Sequence, residues 1–244
     1  MIQFSASDIV DGALFSLLSQ LDLTPVWLSL QLAGVTTVIL LLLATPLSWW
    51  LAHSRARWRP MIEAVVALPL VLPPTVLGFY FLLALGPHGV IGAPWQTMTG
   101  SALSFTFTGL VIASLVYSLP FVVQPLQNMF EAIGPKPLEA ARCLRASPLD
   151  AFLTVAMPLA LRAYVTAAVL GFTHTLGEFG VVLMVGGSIP GKTKVLSIAI
   201  YERVETLDYA AAHVLSAALL VFAFTVLTLV YALNRRAFRP LFVR

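Results

Sequence analysis

The chain has 244 residues, of which 59% are hydrophobic and only 10% are charged, and its formal net charge is +3. Soluble domains are usually about half apolar and about a quarter charged, so this composition excludes a soluble globular protein and indicates an integral membrane protein. The single cysteine, Cys143, excludes an intramolecular disulfide framework and a cysteine-cluster metal site.

The first predicted element is a helix over Ser7–Leu21, whose apolar residues recur at helical spacing. Ser7 suits its N-cap, and the stretch is too polar to cross a membrane, so we expect an amphipathic helix in the interface. No cleaved signal peptide is expected, because residues 1–12 carry two aspartates and no basic residue.

Five later stretches are apolar over about 20 residues, the length that a helix needs to cross about 30 Å of hydrocarbon. They are Val26–Ala52, Met61–Leu85, Phe105–Gln124, Pro158–Met184 and Tyr209–Leu233. The predicted fold class is therefore an all-α integral membrane protein with about five transmembrane helices. We expect three regions: an extracytoplasmic segment over residues 1–25, a single transmembrane domain over residues 26–233, and a basic tail over residues 234–244.

Lysine and arginine are concentrated in alternate loops. One set of loops contains Arg55, Arg57, Arg59, Lys136, Arg142, Arg145 and the arginines of the C-terminal tail, whereas the other set contains only Lys192, Lys194 and Arg203. Because positive residues are enriched in cytoplasmic loops, this asymmetry predicts an N-terminus outside the cell and a C-terminus in the cytoplasm.

The second span contains three prolines, each of which removes an amide donor and frees the carbonyl four residues earlier. They are Pro69, Pro73 and Pro74. Freed carbonyls need partners in lipid, so we expect a kinked helix that faces protein or a water-filled cavity, with Thr75 and Gly78 beside the kink. Pro120 and Ser118 suit the same role in the third span. A pathway with a gate and a simple packing kink are both open interpretations.

Between the third and fourth spans, the loop Gly134–Pro158 predicts two short helices on the cytoplasmic side. Pro137 suits the first position of one helix, and Ser147 suits the N-cap of the other. Ala140 and Ala141 are small, so another backbone can approach them closely. From these residues alone, a docking site for a partner and an ordinary interfacial loop are equally open interpretations.

In the fourth span, His174 and Glu178 lie four residues apart and are expected to share one helix face. An ionisable pair inside a membrane span suggests a proton relay or half of a metal site, but we favour a structural hydrogen-bonded pair. Two ligands alone make a poor metal site, so no bound metal is expected.

The segment Gly186–Thr193 reads GGSIPGKT and matches the nucleotide-binding pattern G-x-x-x-x-G-K-[ST]. It falls in an outer loop, where ATP is absent, and too few residues follow it for a nucleotide-binding α/β domain. We therefore interpret the match as a coincidence. The segment is predicted to be a turn after the span, followed by a short outer helix over Lys194–Val204.

The cytoplasmic loop resembles the signature loop of the permease subunits of bacterial ABC importers, which contains Glu-Ala-Ala, then a glycine, and ends in proline. The chain matches it with Glu139, Ala140, Ala141 and Pro158, but it has Arg145 at the glycine position, where arginine disfavours a positive φ. The resemblance implies that the loop, over residues 131–157, is a coupling helix for a separate ATPase. The implied coupling residues are Glu139, Ala140, Ala141, Arg142, Leu144, Arg145 and Pro158.

Three further stretches resemble the molybdate-type permeases of that family: Leu68–Tyr80, Leu176–Thr193 and Ser197–His213. The resemblance implies a transport subunit, not an enzyme, that passes molybdate or tungstate from a periplasmic binding protein to the cytoplasm. Sulfate or thiosulfate is the alternative substrate. No cofactor is expected on this chain, because ATP and Mg²⁺ would bind a cytoplasmic ATPase dimer. The implied pathway and gate residues are Pro73, Pro74, Thr75, Gly78, Ser118, Glu178 and Gly186, with Gly186 and Gly187 as flexible points beyond the gate.

One coupling loop and five spans make half a transporter, so we expect a homodimer in a bacterial inner membrane, with its pathway along the two-fold axis. An ion-coupled secondary transporter is less favoured, because the sequence contains no visible internal repeat. A membrane-embedded enzyme is also less favoured, because motifs such as H-E-x-x-H are absent. The lipid bilayer is an expected partner and nucleic acid is not.

Overall fold

The computed structural model describes residues 22–236 of the chain, and their regular structure is entirely helical, which confirms the predicted fold class. The helices are α1 Thr24–His53, α2 Arg59–Val71, α3 Pro74–Leu85, α4 Gly92–Thr99, α5 Phe107–Ile133, α6 Lys136–Cys143, α7 Pro148–Ala151, α8 Met157–Gly177, α9 Gly180–Gly186, α10 Leu196–Glu205 and α11 Tyr209–Arg236. A π-helical turn over Phe152–Ala156 joins α7 to α8. The helix expected over Ser7–Leu21 lies outside the described residues.

Helices α1, α5 and α8 pack against one another and enclose the main apolar core. Its buried residues are Leu40, Ala44, Leu51, Val66, Val122, Val123, Leu126, Phe130, Ala160 and Ala167. The alanines let the helix backbones approach closely, which is how helices in lipid gain van der Waals contact. Gly171 of α8 does the same, because a Cβ there would lie 2.7 Å from the Cγ2 of Val122.

Four helical segments of the described chain are long and apolar enough to cross a membrane: Thr24–His53, Phe107–Ile133, Pro148–Gly177 and Tyr209–Ala232. The third predicted span was too short, because its helix continues past Gln124 to Ile133. Polar residues end the apolar run there, yet Leu126 and Phe130 extend the buried stripe at helical spacing. The helix is also continuous through Pro120, so the kink expected there is not a break.

The second predicted span, Met61–Leu85, is not one kinked helix but two helices, α2 and α3, bent by 113°. The break lies at Leu72 and Pro73, whose ψ angles are both 138°. Its cause is the Pro73–Pro74 pair, since both residues lack an amide donor and a residue before proline is driven out of the helical region. Together α2 and α3 are long enough for one broken span, which would bring the number of spans to 5.

The fourth predicted span, Pro158–Met184, is also divided. Helix α8 ends at Gly177, Glu178 is extended with a ψ of 137°, and α9 begins at Gly180. The short helix expected over Lys194–Val204 is confirmed as α10, although it begins at Leu196 and ends at Glu205. Helix α11 lies at the edge of the fold and packs on α10 and α8.

Candidate coupling surface and pathway

The loop over residues 134–158 folds as a short helix seated on the long apolar helices. Leu138 and Ala141 of α6 are buried against Ala151 and Ala156, with Trp49 of α1 beside them. Of the two small residues that another backbone was expected to approach closely, Ala141 therefore faces this chain's own core. Pro137 is the second residue of α6 rather than the first, since the helix begins at Lys136.

The turn after α6 keeps a glycine-type conformation although it contains arginine. Arg145 has a φ of +66°, the left-handed region that glycine favours. The Ala146 amide donates to the Ala141 carbonyl at 3.1 Å, and the Arg145 amide donates to the Arg142 carbonyl at 2.9 Å. These two bonds form a Schellman motif, in which the strained residue is held by its neighbours. Arg145 thus preserves the turn that the sequence put in question.

The outward face of the loop is exposed and mixed in chemistry. Its exposed residues include Glu139, Ala140, Arg142, Leu144, Arg145 and Pro158. Leu144 is 85% exposed and Leu149 is 67% exposed. Ser147 caps α7 as predicted, with its hydroxyl accepting from the Asp150 amide at 3.2 Å. Exposed apolar side chains rimmed by charged residues suit a binding surface for another protein.

The two helix breaks meet at one place. A Cβ on Gly180 of α9 would lie 2.7 Å from Pro74 Cβ at the start of α3, and a Cβ on Gly78 would lie 2.8 Å from Met184 Cβ. Both positions need glycine because α3 and α9 approach so closely. Helix α9 also packs on α5, so the paired breaks are held against a continuous helix.

A cavity of about 600 Å³ opens beside the paired breaks. Its lining residues are Pro74, Thr75, Tyr117, Thr173, His174, Gly177, Glu178, Phe179, Gly180, Leu183 and Met184. The structure thus brings together Pro74, Thr75 and Glu178 of the predicted pathway residues. Pro73 is exposed at the break and Gly78 is buried in the α3–α9 contact.

Gly186 is not the flexible point that was expected. A Cβ there would lie 2.6 Å from Leu110 Cδ2 and 3.1 Å from Thr193 Cβ, so the residue is closely packed. The hydroxyl of Thr193 donates to the Gly186 carbonyl at 2.7 Å and accepts from the Ile189 amide at 3.2 Å. Because Thr193 is fully buried, its hydroxyl cannot reach a nucleotide-bound Mg²⁺, which agrees with a chance match to the nucleotide-binding pattern.

Glu178 is a buried carboxyl group that ties three elements together. Only 5% of the residue is exposed, the Ser114 hydroxyl donates to its Oε2 at 3.3 Å, and its Oε1 has no partner. Its main-chain carbonyl accepts from the Ser197 hydroxyl of α10 at 2.5 Å. The break at Gly177 means that Glu178 and His174 do not share a helix face, contrary to the prediction.

His174 instead belongs to a polar cluster between α5 and α8. Its Nδ1 lies 2.9 Å from the Ser118 hydroxyl, which is also 2.9 Å from the Thr175 hydroxyl, and its ring stacks on Phe121 at 3.8 Å between centroids. Ser118 is therefore behind the cavity wall and contributes no partner to the backbone near Pro120. Among the described residues no three His, Cys, Asp or Glu side chains are grouped as a metal would need.

A second cavity, of about 370 Å³, lies near the other end of α5. It is lined by Arg59, Glu63, Val66, Ala67, Gln124, Gln127, Asn128 and Glu131. Its polar side chains were not among the predicted site residues. The spacing of Gln124, Gln127, Asn128 and Glu131 along one side of α5 was the signal that could have indicated it.

Helices that span the membrane, two paired breaks beside a cavity and an exposed loop for a partner define the class: a membrane component of a transport system. The fold is that of a chain in the crystal structure of a bacterial ABC transporter that imports alginate, with a TM-score of 0.70, 17% sequence identity, and coverage of 93% of this chain and 83% of that one. The profile of the family "Binding-protein-dependent transport system inner membrane component" matches residues 44–239, and the chain belongs to this family.

Two relatives define the branch of the family more closely. The chain is 57% identical over 218 residues to the molybdenum transport system permease protein ModB of Azotobacter vinelandii, covering 89% of this chain and 96% of that protein. It is 34% identical over 194 residues to the sulfate transport system permease protein CysT of Escherichia coli strain K12, covering 78% of this chain and 70% of that protein. The chain is thus a multi-pass permease subunit of an inner membrane, and not an enzyme, as the resemblance implied.

Proposed function

We propose that this chain is the permease of an ATP-driven importer that passes molybdate, or its analogue tungstate, into the cytoplasm. The observation that carries this proposal is the 57% identity over nearly the whole chain to a molybdenum permease, against 34% to a sulfate permease. Sulfate or thiosulfate is the second candidate, because the similarity to a sulfate permease also covers 78% of the chain.

The α6 surface is the proposed contact with the ATPase. Its exposed residues Glu139, Ala140, Arg142, Leu144 and Arg145 would enter a cleft of that partner, with Ala141 supporting them from the base and Pro158 exposed at the start of α8. ATP and Mg²⁺ would bind to the partner and not to this chain. An ATPase dimer has two such clefts and this chain has one α6, so the proposed assembly is a homodimer.

The proposed orientation places α6 and residues 234–244 in the cytoplasm, and residues 1–25 and α10 outside. The alternation of lysine and arginine along the loops supports it. A periplasmic binding protein would dock on the outer side and deliver the anion. In this arrangement residues 26–233 form the transmembrane domain, and the paired breaks lie between the binding protein and the cytoplasm.

The proposed pathway runs past the cavity at the paired breaks. The side chains and backbone there would come from Pro73, Pro74, Thr75, Gly78 and Glu178, while Ser118 and Gly186 fix the surrounding helices. The moving parts would be α3 and α9, which are short and are joined to their neighbours by non-helical residues.

A pathway poor in charge suits an anion that must be released. Transferring a bare divalent anion into hydrocarbon costs about tens of kcal/mol, whereas a strongly basic channel would retain it. Hydroxyl groups and helix ends around water avoid both outcomes. Broken helices also occur in ion-coupled carriers, but membership of the binding-protein-dependent family favours ATP as the energy source.

The test is uptake of labelled molybdate by cells that carry this permease with its ATPase and binding protein. We expect excess tungstate to compete and excess sulfate to have little effect. Depletion of ATP at a maintained proton gradient should stop uptake. Competition by sulfate but not by tungstate would replace molybdate with sulfate, and uptake that survives ATP depletion would refute the importer mechanism itself.

A further inference from the structure

Four polar side chains form a closed hydrogen-bonded ring between α2 and the end of α5. Arg59 Nε donates to Glu63 Oε1 at 2.8 Å, and Arg59 Nη2 donates to Glu131 Oε1 at 2.5 Å. Gln127 Nε2 donates to the same two oxygens, at 2.8 Å to Glu63 and at 3.2 Å to Glu131. We name these four residues the inner ring. Each carboxylate in it is held by one donor from α2 and one from α5.

The inner ring lies between the coupling loop and the broken helix pair α2–α3, which we call the α2–α3 element. Glu131 is in the last turn of α5, and only Gly134 and Pro135 separate α5 from the coupling helix α6. Arg59 is the first residue of α2, whose other end is the break at Leu72 and Pro73. The ring thus joins the base of the coupling helix to the base of the α2–α3 element, which reaches the cavity at the paired breaks.

The ring is the directional part of the contact between α2 and α5. Val66 of α2 is buried in the main core beside Val123 and Leu126, and such apolar contacts are not directional, so they permit sliding. An arginine that bonds two carboxylates fixes the relative position of the elements, because its planar donors have defined directions.

The exposure of the ring allows it to break and form again. The side chains of Arg59, Glu63 and Glu131 are 31%, 35% and 38% exposed, so water can replace the bonds at small cost. A fully buried pair would instead resist any change, because separated charges would stay without water. A contact of this kind suits a transmission point that changes partners during a cycle.

We infer that the inner ring transmits movement of the coupling helix to the α2–α3 element, with Arg59 and Glu131 as positioning residues. The inference rests on the proposed function, since it requires an ATPase that moves α6. Removing the Arg59–Glu131 bond leaves the ATPase docked and active but weakens the response of the pathway. Removal of this bond is therefore expected to lower the ratio of transported anion to hydrolysed ATP.

The decisive variant is Glu131→Gln, which keeps the shape of the side chain but removes its charge, so that the charge-assisted bond from Arg59 becomes at most a weaker bond to a neutral amide oxygen. In proteoliposomes that contain the complete transporter, we expect uptake per hydrolysed ATP to fall by about fivefold or more, with unchanged assembly of the complex. Exchanging the charges, with Arg59→Glu and Glu131→Arg together, keeps the ring's composition and should restore most of the ratio. Arg57→Ala is the matched control, because Arg57 is exposed and in no ion pair of the described residues.

Two results would overturn the inference. One is an unchanged ratio of transported anion to hydrolysed ATP in Glu131→Gln. The other is a loss of uptake that is explained by a loss of assembled complex and is not restored when the charges are exchanged. Failure of the proposed function gives a different result, which is seen in the wild-type transporter. A wild-type transporter that carries sulfate but not molybdate corrects the substrate alone, and the same ratio is then measured with sulfate.

Discussion

The contact between the two helix breaks makes a single added methyl group a sharp test of the site. A Cβ on Gly180 would lie 2.7 Å from Pro74 Cβ and 3.6 Å from the Thr75 amide nitrogen. Ordinary contact begins at 3.4 Å, so the start of α3 would have to move by about 0.7 Å. The Pro74 Cβ cannot turn away, because it belongs to a ring that fixes the backbone angle φ.

We expect Gly180→Ala to lower the free energy of unfolding by about 0.5–2 kcal/mol. Overpacking costs about 1–3 kcal/mol, and the better helix propensity of alanine offsets about 0.5–1 kcal/mol of it, so the expected loss is the middle part of a range of about 0–2.5 kcal/mol. For a chain of this size about 1 kcal/mol corresponds to about 2–4 °C, so the Tm should fall by about 1–8 °C. The assay is thermal unfolding of the purified permease in detergent, followed by far-ultraviolet circular dichroism.

Gly34→Ala is the matched control for this experiment. Gly34 lies inside α1, and a Cβ there would meet no atom within 4 Å, so the change should leave the Tm unchanged or raise it slightly. A Gly180→Ala variant that behaved like Gly34→Ala would show that α3 and α9 do not touch at Pro74. The account of the paired breaks would then be refuted.

Three other variants test separate parts of the structure. Arg145→Val places a β-branched residue at positive φ and should lower the Tm relative to Arg145→Gly, whereas equal midpoints would contradict the Schellman turn. Ser118→Ala removes the bonds to His174 and Thr175 and should cost about 0.6–2 kcal/mol of stability, so an unchanged thermal midpoint would count against that cluster. Burial raises the pKa of Glu202, but hydrogen bonds from Lys194 and Ser188 to its carboxylate outweigh burial, so the pKa lies below its ordinary value. The stability that Glu202 contributes is then present above its ordinary pKa of 4.5 and is lost as the pH falls below it. Proteolysis of the outer loop in sealed right-side-out vesicles should accelerate below that pH, and a Glu202→Gln variant with the same acceleration would argue against this cause.

The helices could be predicted because a membrane span needs a long apolar run, and such runs are visible in the sequence. The complete break at Pro73 could not be predicted. Missing amide donors can either bend a helix or divide it in two, and the outcome depends on what packs beside them. Pro120 shows the opposite case. It lies in α5, which is packed against α1 and α8 and stays continuous.

The break at Glu178 contains no proline, so the pattern of apolar residues runs through it. Its signal was the pair of glycines, Gly177 and Gly180, on either side of a carboxyl group. The inner ring could not be predicted from the sequence for a different reason. Arg59 and Glu131 are 72 positions apart, and only the packing of α2 on α5 brings them into contact. Likewise, which of Ala140 and Ala141 faces outward depends on how α6 docks.

The side of the membrane on which Cys143 lies tests the central claim most directly. Cys143 is the only cysteine of the chain, and it is exposed at the end of α6. A membrane-impermeant thiol reagent should leave the protein unlabelled in intact cells and label it in inside-out vesicles. Labelling from outside intact cells would place the coupling helix away from the ATP side, and the importer mechanism proposed for this chain would be contradicted.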